Sequence, residues 1–424
     1  MTHRTHARSD LIRPRRVAVV MAVFAATAAL LAGAGTVHAA AVERLRLGAA
    51  TWIAPGVEYE SFSITTTRDV AYGHLLTADL SNRHVSVDLL TPGAVTAREP
   101  LSEMADAQGA VAGVNGDFFD ITEAQHADVA ATGAADGPAI GHGVQLKAAV
   151  PDGQRFGPAM PPSDSAQDVI AVAYDGVARL DRLALAGSAS WPGGSVPLGG
   201  FNQYALPVGS VGAYTSQWGQ VSRERAVCGT DIDRAAPCTS DAYEVTLRQG
   251  RVRAVSAQPG AGPIAPGTVV LLGRESGAQV LRRLRVGEPV RVGAHLMASD
   301  HVPLRFAVGG FPILRGGTPL AGLDDTAAAT RTAAGYGNGG RRLYLLALDG
   351  SAESGAGLTV AELADVMHGL GAVAAVNLDG GGSTTLVARP PGSSRVTVRN
   401  HPTGGAERPV PEGIGIFSGV AEGR

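Results

Sequence analysis

The run Asn377-Leu378-Asp379-Gly380-Gly381-Gly382-Ser383-Thr384 places a carboxyl, three glycines and two hydroxyls on consecutive residues. Three glycines in a row carry a conformational-entropy cost and suit a backbone that something must approach closely. Their N–H groups could form a concave nest for an anion. A second Asn-x-Asp turn occurs at Asn115-Gly116-Asp117, and residues 109–117 repeat residues 371–379 at all but two positions. Asp349 is a third acid directly after an apolar run. Glycoside cleavage commonly uses two carboxyl groups. A phosphate leaving group departs as a stable anion with a second pKa of about 6, so charge stabilisation matters more than protonation. Arg331 is the cation expected at such a phosphate, since guanidinium pairs with it bidentately; a solvated surface arginine is the plain alternative.

Other candidates are less specific. His142, between Gly141 and Gly143, offers an acid or base, although a loop histidine often has no such part. Asp117, Asp120, His126 and Asp128 form a loose oxygen- and imidazole-bearing group without calcium-loop spacing, so a divalent cation such as calcium is left open. Gly309-Gly310 reads as a turn or as a point of close substrate approach. The sequence has no Gly-x-Ser-x-Gly elbow, His-Glu-x-x-His helix or phosphate-loop lysine.

Stepping outward, Leu343–Leu348 is a continuous apolar run that predicts a strand. A helix should follow, with Thr359 and Glu362 as a capping box and Val360, Leu363, Ala364 and Met367 on one face. Gly371 stops it, and 372–376 predicts a second buried strand. Two strands about a helix predict a β-α-β unit with some parallel pairing. Upstream, 101–109 predicts a short helix with Ser102 as N-cap, followed by a strand over 110–114. The Ala-, Gly- and Asp-rich stretch 124–137 reads as a mobile surface loop. In the middle, 244–248, 268–272 and 286–292 read as strands. The expected fold is α/β (mixed α+β), a mixed sheet with packed helices plus a β-rich middle subdomain. The expected boundaries are 1–39 for a signal peptide, 40–152 and 302–424 for the two catalytic parts, and 153–301 for the inserted or middle subdomain.

The chain has 424 residues, 45% hydrophobic and 17% charged, with a formal net charge of −3. That balance gives no electrostatic case for nucleic acid or an anionic membrane as partner. Five arginines among the first 16 residues precede an apolar run from Val17 to Leu31, and Val37-His38-Ala39 offers small residues for cleavage. This is the pattern of a secretory signal peptide, shorter than a spanning helix, so the mature chain is expected outside the cell and off the membrane. Arg15-Arg16 also raises a twin-arginine route. Cys228 and Cys238 would pair as a structural disulfide in an oxidising compartment.

At these residues the chain resembles the phosphodiester glycosidase family. The resemblance covers Asn115-Gly116-Asp117-Phe118-Phe119, Val308-Gly309-Gly310-Phe311-Pro312, Arg331-Thr332-Ala333-Ala334-Gly335-Tyr336 and the run 343–386. Asn400-His401-Pro402 with Glu407-Arg408-Pro409-Val410 is similar to the family's closing motif. His401 stands where the family often has arginine, and Asp117 where it commonly has a small residue. The resemblance implies a secreted hydrolase cleaving a glycosidic bond to a phosphodiester in an envelope or extracellular glycan. Asp379 and Asp117 would supply the carboxyl chemistry, with Asp349 alongside them orienting the sugar together with Asn115 and Asn377. Arg331, Gly310, Gly380, Gly381, Gly382, Ser383, Thr384 and His142 complete the expected substrate contacts. Two other readings stay open: an exo-glycosidase on a non-phosphorylated polysaccharide, and a non-catalytic glycan- or wall-binding protein.

Overall fold

Alternating polar and apolar residues dominate the chain between glycine-rich turns, and the fold follows that period. The computed structural model describes residues 45–350 and 357–419, so the expected signal peptide at 1–39 lies outside the described residues. Among the described residues there are 26 strands and three short helices, Leu101–Gln108, Ser276–Leu281 and Val360–Gly369. Every strand pairing is antiparallel except that of Gly200–Phe201 with Val211–Tyr214. The expected α/β mixed sheet with packed helices is therefore corrected to a strand-rich assembly of antiparallel sheets.

The reason is visible at the expected β-α-β unit. Arg342–Leu348 and Ala374–Leu378 do run in the same direction around the helix, but Thr332–Gly337 lies between them and pairs antiparallel with both. Their direction is as expected; their adjacency is not. This sheet continues outward through Val70–Asp79, Val57–Thr65 and Leu45–Leu47 on one side and Phe311–Arg315 on the other.

Side-chain alternation splits the sheet into two buried faces. Leu343, Leu345, Ala347, Val376 and Leu378 face a central core. Tyr344, Leu346, Leu348 and Ala375 face the helix Val360–Gly369. The helix carries the expected capping box, with Glu362 N donating to Thr359 Oγ1 (3.1 Å) and Thr359 N to Glu362 Oε2 (2.9 Å). It buries Val360, Leu363, Ala364 and Met367.

Two further sheets close the central core. One has the order Thr397–Val398, Leu386–Ala388, Ala112–Asn115, Gly413–Ser418, Val85–Leu90 and contributes Val114, Leu386 and Ile414. The other contributes Ile170 of Asp168–Ala173 and Phe306 and Val308 of Leu304–Gly309. Local expectations differ in three places. Pro100, with no side-chain bond, stands at the N-cap of Leu101–Gln108, two residues before Ser102. The last middle strand is Arg291–Ala298 rather than 286–292. Thr132, Ala134, Ala135 and Asp136 are buried, so 124–137 is not a mobile surface loop at its C-terminal end. Cys228 and Cys238 form the expected disulfide.

Candidate active site

The two Asn-x-Asp turns touch directly. Asn115 Nδ2 donates to the Asp379 carbonyl at 2.7 Å, and Asp379 N donates to the Gly116 carbonyl at 3.0 Å. Asn115 Oδ1 accepts from Thr332 Oγ1 (2.9 Å) and Thr385 N (3.0 Å). Asn115 is fully buried, and these bonds make it the clasp between the two turns. Asn377 is also fully buried, on the sheet face opposite Val376 and Leu378; its amide atoms have no hydrogen-bond partner among the described residues.

Behind the clasp lies a group of buried charges. Asp117 accepts from Phe118 N (2.8 Å) and Gly137 N (2.7 Å). Its carboxylate fits only because Gly137 and Gly309 lack side chains: a Cβ on either would come within 2.6 and 2.1 Å of Asp117 Oδ2. Asp136 accepts from Tyr204 OH (2.8 Å) and Phe156 N (2.7 Å). Glu412 packs against Gly116, whose N–H donates to the Glu412 carbonyl at 2.9 Å. Lys147 Nζ donates to the Gly137 carbonyl and, at 2.9 Å, to that of Ala148. Removing these groups from water favours their neutral forms. Burial first, then the charge of Glu412, pushes the Asp117 carboxyl up; burial and then Asp117 push Asp136 up. Burial raises Glu412 to about 7 against the pull of Lys147, whose own pKa burial lowers.

Asp379 is the member of this group with open surface, being half-buried where Asp117, Asp136 and Glu412 are buried. Its carboxyl is raised to about 7 by burial, against the lowering effects of the Ser383 hydroxyl and the Arg408 guanidinium. Arg408 Nη1 donates to Ser383 Oγ at 3.2 Å. The guanidinium lies against Gly382, where a Cβ would fall 2.3 Å from Arg408 Nη2. Arg408, Ser383 and Asp379 thus form a cation–hydroxyl–carboxyl series along the glycine turn. Phe118 stacks on Phe311 with centroids 4.8 Å apart, and Arg155 covers Phe311 at 3.9 Å.

Several expected contacts have other partners. Arg331 is buried and donates through Nε to the Leu358 carbonyl (2.9 Å) and through Nη2 to that of Ala327 (2.7 Å). Within the glycine turn, the N–H groups of Gly381, Ser383 and Thr384 donate to the carbonyls of Thr330, Gly380 and Gly381, leaving less of an anion nest. Gly380 presses on Thr330, and Gly310 on Val376 and Leu378. His142 is mostly exposed and pairs with Asp88 at 3.0 Å, not with the acids around Asp379. Asp349 binds His74 Nε2 (3.1 Å) and His401 N (2.8 Å); burial pushes its carboxyl up, and these bonds outweigh that and hold it below the usual range. The loose group Asp117, Asp120, His126 and Asp128 does not converge: Asp120 accepts from Thr132, and His126 pairs with Glu123 at 2.7 Å. Among the described residues, one group of three metal-ligand types meets within 4.8 Å, His126 with Cys228 and Cys238, and those two sulfurs are bonded to each other.

Asp136, Lys147, Glu412 and Arg408 are the site residues that motif spacing did not single out. Arg408 lies in the closing segment whose similarity to the family was already apparent; the other three carry no local signal.

Residues 241–417 match the family model for phosphodiester glycosidase. No curated protein sequence matches this chain. The fold is similar to that of a hypothetical protein from Synechocystis, at 18% identity and TM-score 0.65 over 86% of this chain. This chain spans 62% of that protein. It is also similar to a Burkholderia pseudomallei protein described as exported, at 23% identity and TM-score 0.61, covering 82% of this chain and 74% of that one. The catalytic domain of zebrafish N-acetylglucosamine-1-phosphodiester alpha-N-acetylglucosaminidase, auto-inhibited by its pro-peptide, aligns at 16% identity and TM-score 0.42 over 89% of each chain. Over residues 241–417, which hold Arg331, the Asp379 turn, Arg408 and Glu412, this chain carries the sequence pattern of the phosphodiester glycosidase family.

Proposed function

We propose that the protein is an exported hydrolase that cleaves a glycosidic bond to a phosphodiester in an envelope or extracellular glycan. The observation that carries this reading is that Asp379 alone of the four clustered acids has open surface, beside Arg408. A glycosidase with an alcohol leaving group needs a second reachable carboxyl as acid. A phosphate leaving group needs a cation instead.

In this reading the phosphate lies against Arg408 and the Ser383 hydroxyl. Asp379 takes a proton from water as the water oxygen bonds to the anomeric carbon. The bond from that carbon to the phosphate oxygen breaks, and the electron pair leaves with the phosphate. A base with a pKa near 7 suits proton transfer at neutral pH. Burial first, and the neighbouring Asp136 as a smaller contribution, raise the affinity of Asp379 for a proton. Asn115 holds the turn in place.

The test is turnover of a sugar-1-phosphodiester by the wild type and by Asp379→Asn. The variant should lose on the order of 10²–10⁴-fold in kcat, the usual share of a general base. A folded variant with full activity would overturn the assignment. Faster cleavage of an aryl glycoside than of the phosphodiester would favour an exo-glycosidase instead. Recovery of the chain from the medium without residues 1–39 would test export.

A further inference from the structure

The sheet that ends in Asp379 also ends, two strands away, in Asp349. Arg342–Leu348 and Ala374–Leu378 run the same way, and Ala347 and Leu378 are both paired with Thr332. With neighbouring strands about 4.8 Å apart, the two aspartates lie roughly 10 Å from each other along one sheet edge.

Beyond Asp349 the inward face changes character. Val57, Leu76 and Ala78 belong to the central core. Toward the edge, the same strands present Tyr59 and His74 and then Ser61, Ser63 and Tyr72. Arg46, Ser63 and Tyr72 stand in one cross-strand row, and Ser61 pairs with His74 in the next. These residues line a cavity of about 330 Å³ with Asp349 in its wall. Tyr59 OH and His74 Nδ1 are 2.7 Å apart, and His74 Nε2 meets Asp349 Oδ1, so that part of the cavity is rigidly set. Tyr72 is 48% exposed, an unusual amount for an aromatic ring on this face.

We propose that this cavity is a distal subsite that holds a further unit of an anionic glycan chain while Asp379 acts on a bond elsewhere in the same chain. An open tyrosine ring offers a stacking face for a sugar, paired serines offer hydroxyl contacts, and Arg46 supplies a positive charge. The position agrees: from the Asp379 strand to the Arg46 strand is five strand spacings, roughly 24 Å, which accommodates several sugar units. The substrate is therefore a chain carrying repeated negative charge, not a single sugar unit. This inference rests on the hydrolase reading for its catalytic end and on the cavity alone for its binding end.

The probes are a sugar-1-phosphodiester monomer, a phosphodiester-linked oligosaccharide of four or more repeats, and a neutral oligosaccharide of equal length. Tyr72→Ala and Arg46→Ser should each raise KM for the charged chain about 5–20-fold and leave monomer turnover unchanged, while Tyr72→Phe restores the wild-type value. Arg46→Ser should lose the preference for the charged over the neutral chain. Equal effects on monomer and chain, or no effect on either, would overturn the subsite. Calorimetric binding of the chain to the wild type and Tyr72→Ala separates the two claims. If no phosphodiester is turned over but Tyr72→Ala still weakens chain binding, the hydrolase reading fails and the subsite stands.

Discussion

Gly309 tests the packing that makes the acidic group in the candidate site exist. A Cβ there would lie 2.1 Å from Asp117 Oδ2 and 2.7 Å from the Gly137 Cα. Neither neighbour has room to move: Asp117 is fixed by Phe118 N and Gly137 N, and Gly137 is backbone. Gly309→Ala must therefore either overpack the site, at about 1–3 kcal/mol, or push Asp117 off its Gly137 bond. A hydrogen bond to a charged group contributes about 1.5–3 kcal/mol, so either outcome costs roughly 1–3 kcal/mol of stability. Gly293 is the control, because an added Cβ there meets no heavy atom within 4 Å, and Gly293→Ala should change stability by less than about 0.5 kcal/mol. Urea unfolding followed through buried Trp218 reads both variants, with the denaturant slope expected to hold constant. If Gly309→Ala unfolds at the same midpoint as Gly293→Ala, the close approach of Asp117 to this backbone is refuted.

Stability should also fall as pH rises. Asp379 and Glu412 have folded-state pKa values of about 7, above the 3.8 and 4.5 of ordinary Asp and Glu, so the folded chain holds protons that the unfolded chain has released. The stability they contribute is complete below about pH 4 and is lost as pH passes through 7, with a slope of at most about 1.4 kcal/mol per pH unit for each proton. Urea midpoints at pH 5.5 and 8.0 check this: a higher midpoint at pH 8.0 would contradict it, and Asp379→Asn should flatten the trend. Arg408→Met should reduce kcat/KM for a sugar-1-phosphodiester by about 10²–10³-fold, the scale of one lost electrostatic contact to the developing charge. An aryl glycoside should be affected far less, and equal losses on both substrates would remove Arg408 from the phosphate. Replacing Cys228 and Cys238 with serine should cost about 2–3 kcal/mol for a loop of this size, read as a lower urea midpoint. An unchanged midpoint would mean that the loop is held by its other contacts.

The parts of the site legible in the sequence were those written in consecutive residues. The Asp379 turn, its Asn115 counterpart and the Thr359–Glu362 capping box all declare themselves locally. The segment 124–137 misled because small residues suggest mobility; Gly137 is small because the Asp117 carboxylate must pass beside it. Parallel pairing was expected around the helix because nothing within 343–376 reveals that Thr332–Gly337 lies between its two strands. Asp136 and Lys147 meet Glu412 from a segment more than 250 residues away, so their mutual burial has no local trace. Arg331 and Arg408 show the same limit. Both lie in segments similar to the family, and only the folded chain reveals that one binds carbonyls while the other lies against Gly382.

The placement of Gly413–Ser418 governs when the protein can assemble. This strand lies between Ala112–Asn115 and Val85–Leu90, pairing with both, so two early strands have no direct hydrogen bonds to each other and meet only across a very late one. Closing such long loops before their contacts form slows folding. Until residues 413–418 have left the ribosome, that sheet has a gap in its middle, and Gly116 lacks the Glu412 carbonyl that receives its N–H. A chain that stopped near residue 410 would thus contain both aspartate turns but lack the strand that joins Ala112–Asn115 to Val85–Leu90 and the carbonyl that receives the Gly116 N–H.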